Sequence, residues 1–366
     1  MLDAWTGLTT PAEGAAQAGL DVTVVQACHV EASVLRGDVV YRFVRARRGS
    51  FLRRLGTWAS PVTPRVADAA AKLRSDVVHV HGLGFPRHVA ALMRRLPGVP
   101  VLVQDHANRP PPAWRLGSFR EQTRGLAGVL FTAREQADPF FAVRAFPSGL
   151  PVFEVLESTT RFTPAPSDAV RLLTGAEGDP LLLWVGRLDD NKDPLTVLAA
   201  LSRASAELPD ARLWMCYTDA PLLGRVKARV RTDPNLSGRV KLLGRRPHAE
   251  IQQLLRAADF LVLGSHHEGS GYAVLEALAC GTTPLVTDIP SFRRITGEGA
   301  VGALSPPGDA GAMARALVEW ARKPRSDLRA AAAEHFERRL SIGAVGEQLR
   351  AAYRAVVDGS RDPSHP

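Results

Sequence analysis

The chain has 366 residues, which suggests two domains, and 45% of them are hydrophobic, ample for two cores. No run approaches the roughly 18 apolar residues of a membrane-crossing helix, and the first residues show neither the basic start nor the apolar core of a signal peptide. The formal net charge is +9 with a pI near 10.1, yet no aromatic stacking pattern or known motif accompanies it, so nucleic acid is not an expected partner.

The basic excess is concentrated from Arg36 to Arg54, where seven arginines face one acid, Asp38. Two readings stay open: a solvated face, or contact with anionic lipid head groups or an acidic acceptor. Cys28, Cys216 and Cys280 are odd in number, far apart and in apolar surroundings, so buried free thiols and a cytoplasmic location are expected, possible contact with the inner membrane face included.

In chain order, the pattern predicts a helix over 10–20, weakened by Gly14, then strands at 21–27 and 39–44. A helix at 66–73 leads to a strand at 76–82 that ends in His81 and Gly82. A helix at 86–95 precedes a strand at 101–106, whose end carries Asp105 and His106. Prolines 110–112 force a loop, and strands follow at 128–132 and 152–156. Strands alternating with helices predict a parallel sheet of Rossmann type. In such a sheet the first strand is central, but only residues 1–5 precede Thr6 and Gly7. Either 1–5 are the tail of that strand, or the true start lies upstream.

Composition shifts at 162–167, read as a linker. Beyond it the pattern repeats, with strands at 181–185, 212–216, 240–243, 259–263 and 283–286. A last amphipathic helix is predicted at about 344–357, and the tail from Asp358 reads as disordered. The expected division is therefore 1–162, 168–343, and a terminal piece at 344–366.

One stretch organises the second half. An apolar strand ending at Leu263 is followed by Gly264-Ser265-His266-His267-Glu268-Gly269-Ser270-Gly271, and Tyr272 to Cys280 is strongly helical with Gly281 as its stop. Gly269 and Gly271 let backbone approach a ligand. The free amides near Ser270, Gly271, Tyr272 and Ala273 suit a phosphate or a sugar oxygen. Glu268 sits at the strand end, where ligands bind in α/β sheets, and Glu276 lies about one helical turn inside. Upstream, Gly186 ends a strand, and Arg187 and Lys192 follow it on a loop leading to Pro194, a good first helical residue. Two cations at such a turn suit a diphosphate.

These segments resemble GT-B glycosyltransferases, in particular the large retaining family 4 (glycosyl transferases group 1). Glu268 and Glu276 match its E-x7-E element, and Gly186-Arg187-Leu188-Asp189-Asp190-Asn191-Lys192 is similar to its G-R-L-x-x-x-K segment. The run Glu276-Ala277-Leu278-Ala279-Cys280-Gly281-Thr282-Thr283-Pro284 is similar to its E-A-x-A-x-G-x-P run, with the proline one place late. The resemblance implies an α/β GT-B fold of two Rossmann-like doubly wound domains facing a cleft, with the terminal helix crossing back to the first domain. It implies a nucleotide-diphosphate sugar as co-substrate, an acceptor that is a glycan, lipid or small molecule, and retention of configuration. No cofactor and no catalytic metal are implied.

By the same resemblance Arg187 and Lys192 hold the diphosphate, Glu268 lies beside the donor sugar and Glu276 grips the ribose. His106 stands where the family has a histidine near the sugar, although a structural histidine is the alternative. Gly244, Arg245 and Arg246 resemble the segment that recognises the base, and Gly7 stands at the family's glycine-containing first loop. Tyr217-Thr218-Asp219, Ser270 and Glu157-Ser158-Thr159-Thr160 depart from the family pattern and leave the sugar and base open. Asp189 with Asp190, and His266 with His267, look like metal pairs only superficially, since adjacent side chains on an extended segment point apart and no further ligand stands at a useful spacing. A nucleotide-sugar epimerase on the same scaffold and a non-catalytic sugar-nucleotide sensor are the alternatives. A dehydrogenase is disfavoured because no G-x-G-x-x-G follows a strand.

Overall fold

The structure is a computed structural model that describes Leu2 and residues 6–45 and 64–361. The chain divides into two compact units, Met1–Thr159 with Ile342–Pro366, and Thr160–Ser341.

The first unit opens with α1 (Thr6–Gln17), followed by β1 (Val22–Cys28), β2 (Ala32–Arg36) and β3 (Val39–Arg45). These strands form a sheet in the order β1-β3-β2, with β1 parallel and β2 antiparallel to β3. β2 was not expected. Its residues are mostly exposed, so it lacks the apolar run that betrays a strand, and it forms because Gly37 and Asp38 close a two-residue hairpin onto β3.

After α2 (Pro64–Ala71) come β4 (Val78–His81), α3 (Pro86–Met93), β5 (Val101–Gln104), α4 (Ala113–Thr123), β6 (Gly128–Phe131), α5 (Asp138–Ala142) and β7 (Val152–Glu154). Strands β4 to β7 are parallel and neighbour one another in sequence order. Val101, Val103, Val129 and Phe131 bury one continuous apolar face against Phe119, Phe140 and Phe146. Where one Rossmann sheet was expected, the described residues of this unit form two sheets. Met1 and residues 3–5, on which the expectation of a first strand falls, lie outside the described residues.

The second unit runs α6 (Ser167–Thr174), β8 (Leu181–Gly186), α7 (Pro194–Ala204), β9 (Arg212–Tyr217), α8 (Leu223–Thr232), β10 (Val240–Gly244), α9 (His248–Ala257), β11 (Phe260–Leu263), α10 (Tyr272–Ala279), β12 (Thr283–Thr287), α11 (Pro290–Thr296), β13 (Ala303–Ser305), α12 (Ala310–Ala321) and α13 (Arg325–Arg339). Its sheet has the order β10-β9-β8-β11-β12-β13, every pair parallel. Strand order reverses between β8 and β11, the switch point at which open α/β sheets bind ligands. Leu181 to Trp184 and Phe260 to Leu263 are buried on both faces, as strands covered by helices on each side must be.

The last helix, α14 (Ile342–Arg361), belongs to the first unit and packs on α1. It carries on through Asp358 to Arg361, against the expectation of a disordered tail from Asp358. A Cβ on Gly14 would stand 2.3 Å from the Ile342 carbonyl oxygen, and one on Gly346 would stand 1.9 Å from that of Gly14. The two backbones touch, so the glycine that weakens α1 locally is what lets the helix dock. α1 starts at Thr6 rather than at Thr10: Thr9 and Thr10 are fully buried, and Thr10 Oγ1 is 2.8 Å from Ser158 Oγ.

Candidate functional site

Two loops at the C-terminal ends of adjacent strands build the centre of the second unit. The first follows β8. Leu188 is fully buried and anchors it, and the Leu188 amide donates to the Asp219 carbonyl at 2.8 Å. Asp189 shapes the rest: one oxygen accepts from the Lys192 amide at 2.9 Å and the other pairs with Arg187 Nη2 at 3.1 Å. The loop ends at Asp193, which caps α7 by accepting from the Thr196 amide, with Pro194 at the first helical position.

The second loop follows β11. A Cβ on Gly264 would stand 2.7 Å from the Asp193 carbonyl oxygen, so only glycine lets the two loops meet. They are then stitched together: the His266 amide donates to the Asn191 carbonyl at 2.8 Å, and Asn191 Nδ2 donates to the His267 carbonyl at 3.0 Å. His266 Nε2 reaches Asp193 at 3.3 Å, a contact that His267 does not share. Among the described residues no group of three or more His, Cys, Asp or Glu has a metal-holding arrangement.

Gly269, Ser270 and Gly271 turn the chain into α10. Gly271 has φ 58°, and a Cβ there would strike Phe292 at 2.8 Å. Ser270 is buried, and Tyr272 and Ala273 form the first turn of α10. Lys192 Nζ forms an ion pair with the Glu268 carboxylate. Gly186 ends β8, where a Cβ would press on the Trp184 ring at 3.3 Å and touch Lys192 Cδ in ordinary contact at 3.7 Å. Glu276, one turn into α10, is only 7% exposed. The structure thus gathers Arg187, Lys192 and Glu268 at the switch point of one sheet, with Gly186 beneath them and the start of α10 carrying Glu276 beside them.

Arg246 stands at the β10–α9 connection and pairs with Glu250 at 3.7 Å. Beside it is a residue that the sequence reading missed. His248, the first residue of α9, places Nε2 2.5 Å from Glu276 Oε1, and its ring lies against Phe162 with centroids 4.5 Å apart. The hydrogen bond to Glu276 raises the pKa of His248. The available signal was Pro247-His248 as a helix start, with no charge partner visible until α9 and α10 pack.

His106 and Gly7 lie in the first unit. Gly7 is the second residue of α1, inside the helix rather than on a glycine loop, because α1 begins earlier than expected. His106 follows β5 on a turn that Asp105 holds by accepting from the Ala107 and Asn108 amides, both at 2.9 Å. Burial pushes the Asp105 pKa up to about 6, against those two amides. His106 Nδ1 is paired with Glu157, another residue that the sequence reading left without a role, and Nε2 lies 3.1 Å from His81 Nδ1. Burial pulls the pKa of His106 down, but the hydrogen bond and charge of Glu157 and the charge of Asp105 outweigh it and leave it raised.

A strand, a glycine turn and a helix start presenting paired carboxylates beside two cations match what known proteins display. The family model "Glycosyl transferases group 1" matches residues 173–337, and "Glycosyltransferase Family 4" matches residues 6–143. The chain belongs to the family 4 glycosyltransferases. It is 28% identical over 268 residues to a GDP-mannose:cellobiosyl-diphosphopolyprenol alpha-mannosyltransferase of Xanthomonas oryzae, covering 70% of this chain and 68% of that one. It is also 28% identical over 307 residues to a D-inositol 3-phosphate glycosyltransferase of Frankia alni, covering 78% and 72%. Among solved structures, Anabaena HepE in complex with UDP and glucose superposes with a TM-score of 0.62 at 18% identity, covering 86% of this chain and 85% of that one. The fold is GT-B, and the family 4 chain is a glycosyltransferase, an enzyme acting on a nucleotide sugar and an acceptor.

Proposed function

We propose that this enzyme moves a hexose from a nucleoside diphosphate sugar to its acceptor with retention of configuration, without a metal or other cofactor. The observation that carries the reading is the second unit's switch point, where Arg187 and Lys192 adjoin Glu268 while Glu276 lies one turn inside α10. Arg187, Lys192 and the start of α10 with Gly269, Ser270, Gly271, Tyr272 and Ala273 take the diphosphate. Glu268 orients the sugar, Glu276 accepts from ribose hydroxyls, and Arg246 borders the base. The departing phosphate takes the acceptor proton, so the protein supplies positioning and charge stabilisation rather than a general base. Asp189 serves as a loop brace, which supports a reaction needing no metal there. His106, held by Glu157, contacts the donor sugar, and any stabilisation of developing positive charge comes from neighbouring backbone carbonyls rather than from the imidazole itself.

The two relatives name a GDP-mannose donor with a polyprenol-linked acceptor and an inositol phosphate acceptor. A lipid-linked acceptor is favoured by the face of β2 and β3, where Leu35 is 70% exposed and Arg42 also faces solvent. No helix among the described residues is long and apolar enough to cross a membrane, so such contact would be peripheral. Calorimetric titration of UDP, GDP and ADP, followed by product anomer determination by NMR with and without excess chelator, tests the reading. An inverted product, or turnover lost to chelator and restored by Mg²⁺ or Mn²⁺, would overturn retention or the metal-free mechanism respectively.

A further inference from the structure

At the C-terminal edge of the parallel sheet β4–β7, His106 heads a chain of side chains whose other members the function proposed above leaves without a role. Glu157, just beyond β7, pairs with His106 Nδ1. His106 Nε2 is 3.1 Å from His81 Nδ1, at the end of β4. His81 stacks on His79 with centroids 4.6 Å apart, and His79 Nδ1 is 2.8 Å from the Tyr353 hydroxyl on α14. Gln104 and Asp105 close the group from β5, Gln104 by donating to the Leu130 and Val155 carbonyls and Asp105 by bracing the turn. The histidines are therefore neighbours in one relay with a carboxylate at a single end.

That asymmetry decides where the protons sit. A carboxylate only accepts, so His106 donates from Nδ1. Glu157 and Asp105 favour the imidazolium, which then also donates from Nε2. His81 must receive that bond at Nδ1, which places its own proton on Nε2. A second charge beside the first is disfavoured, and burial together with His79 and His106 keeps His81 neutral. We propose that Glu157 is a positioning residue that fixes His106 as the cation and His81 as an uncharged Nε2–H donor, aimed at a neutral hydroxyl or ring oxygen of a sugar. Strand ends of a parallel sheet are where such a ligand arrives. This explains why the chain departs from the usual family turn at Glu157: a carboxylate there, rather than a backbone turn, sets the state of both histidines. The kinetic part of the inference rests on the glycosyltransferase site proposed above; the protonation pattern does not.

The test is long-range 1H–15N correlation NMR on the full chain labelled at histidine, assigned with His81→Gln and His106→Gln. In the wild type at pH 7, His106 should carry protons on both nitrogens and His81 on Nε2 alone. Glu157→Gln keeps a hydrogen-bond acceptor but removes the charge, so the His106 titration should move to lower pH and the His81 tautomer should become mixed. Release of nucleotide from UDP-glucose and GDP-mannose should fall on the order of tenfold in kcat, with KM little changed, in Glu157→Gln and in His81→Gln. A His81 proton on Nδ1, a His106 titration indifferent to Glu157→Gln, or unchanged kcat in both variants would each overturn the proposal. If Glu157→Gln does not fold, His106→Gln serves: it must mix the His81 tautomers, and an unaltered Nε2–H signal counts against the relay. Failure of the donor site reading looks different, because Lys192→Ala and Glu276→Ala would then leave nucleotide affinity intact while the NMR pattern stands.

Discussion

His248 Nε2 stands 2.5 Å from Glu276 Oε1, so the carboxylate assigned to the ribose already has a partner on one of its two oxygens. The other oxygen is left for a diol, and the His248 ring, braced by Phe162, fixes the angle at which it is offered. Glu276 holds the His248 pKa above the ordinary value near 6.5. A raised folded-state pKa contributes stability that is fully present below the unfolded value and is lost as pH rises through the folded value. His248→Ala should therefore lower Tm at pH 6 and have a smaller effect at pH 8.5. Calorimetric melts of both proteins at the two pH values decide it; a Tm loss that grows with pH contradicts the assignment. His248 is more than half exposed, so solvent screening keeps the effect small.

The contact between Gly264 and the Asp193 carbonyl makes a stability prediction. Gly264→Ala puts a methyl 2.7 Å from a backbone oxygen that cannot rotate away. Either the β8–α7 loop shifts or the strand end does, at a cost of about 1–3 kcal/mol for overpacking. Because the same shift moves Lys192 relative to Glu268, nucleotide affinity should fall with Tm. A variant that melts normally and binds nucleotide normally would show that the two loops do not need their close approach.

Much of the second unit was legible in the sequence because its strands are buried on both faces and read as unbroken apolar runs, as in Leu181 to Trp184 and Phe260 to Leu263. The glycine turn before Tyr272 and the stop at Gly281 were equally plain, since Gly281 takes φ 76° at the end of α10. The edge elements were not legible. β2 is solvent-facing, β13 has only three residues, and the start of α1 depends on burying Thr9 and Thr10 rather than on helix propensity. The motif residues were found as a set, but the partners that tune them were not. His248 is separated from Glu276 by 28 positions and Glu157 from His106 by 51 positions; neither pair has a spacing rule, and both arise only from tertiary packing.

The basic stretch makes a prediction about membranes. Arg36 already pairs with Glu13 at 3.3 Å, whereas Arg42 and Arg45 are exposed and Leu35 projects from the adjoining strand. Arg47, Arg48, Arg53 and Arg54 lie outside the described residues. Reversing Arg42 and Arg45 to glutamate should weaken sedimentation with anionic vesicles, and Leu35→Ser should weaken it further at high salt. Salt screens the arginines over a Debye length of about 8 Å at physiological strength, but it leaves the apolar contact. Equal sedimentation with anionic and neutral vesicles would reduce the stretch to a solvated face.

The Lys192–Glu268 ion pair sharpens the division of labour between the two glutamates. In the free enzyme the lysine assigned to the diphosphate is held by the carboxylate assigned to the sugar. A bound diphosphate must draw Lys192 partly away, and Glu268 is then released toward the sugar hydroxyls. Glu268→Ala removes a competitor for Lys192, so affinity for bare UDP or GDP should stay level or rise, while transfer falls steeply for want of sugar orientation. Glu276→Ala should do the opposite to binding, because ribose is present with or without the sugar. Arg187→Ala and Lys192→Ala each delete a charge-assisted contact worth roughly 1.5–3 kcal/mol, so nucleotide affinity should fall on the order of tenfold to a hundredfold and kcat with it. The double variant Lys192→Ala/Glu268→Ala isolates the coupling. If Lys192 binds phosphate, its loss should cost more nucleotide affinity in the Glu268→Ala background than in the wild type, because there the lysine has no competing partner. Calorimetry with UDP and GDP on the five variants, beside transfer rates, reads each of these directions. Glu268→Ala losing nucleotide affinity as badly as Glu276→Ala would reverse the two assignments.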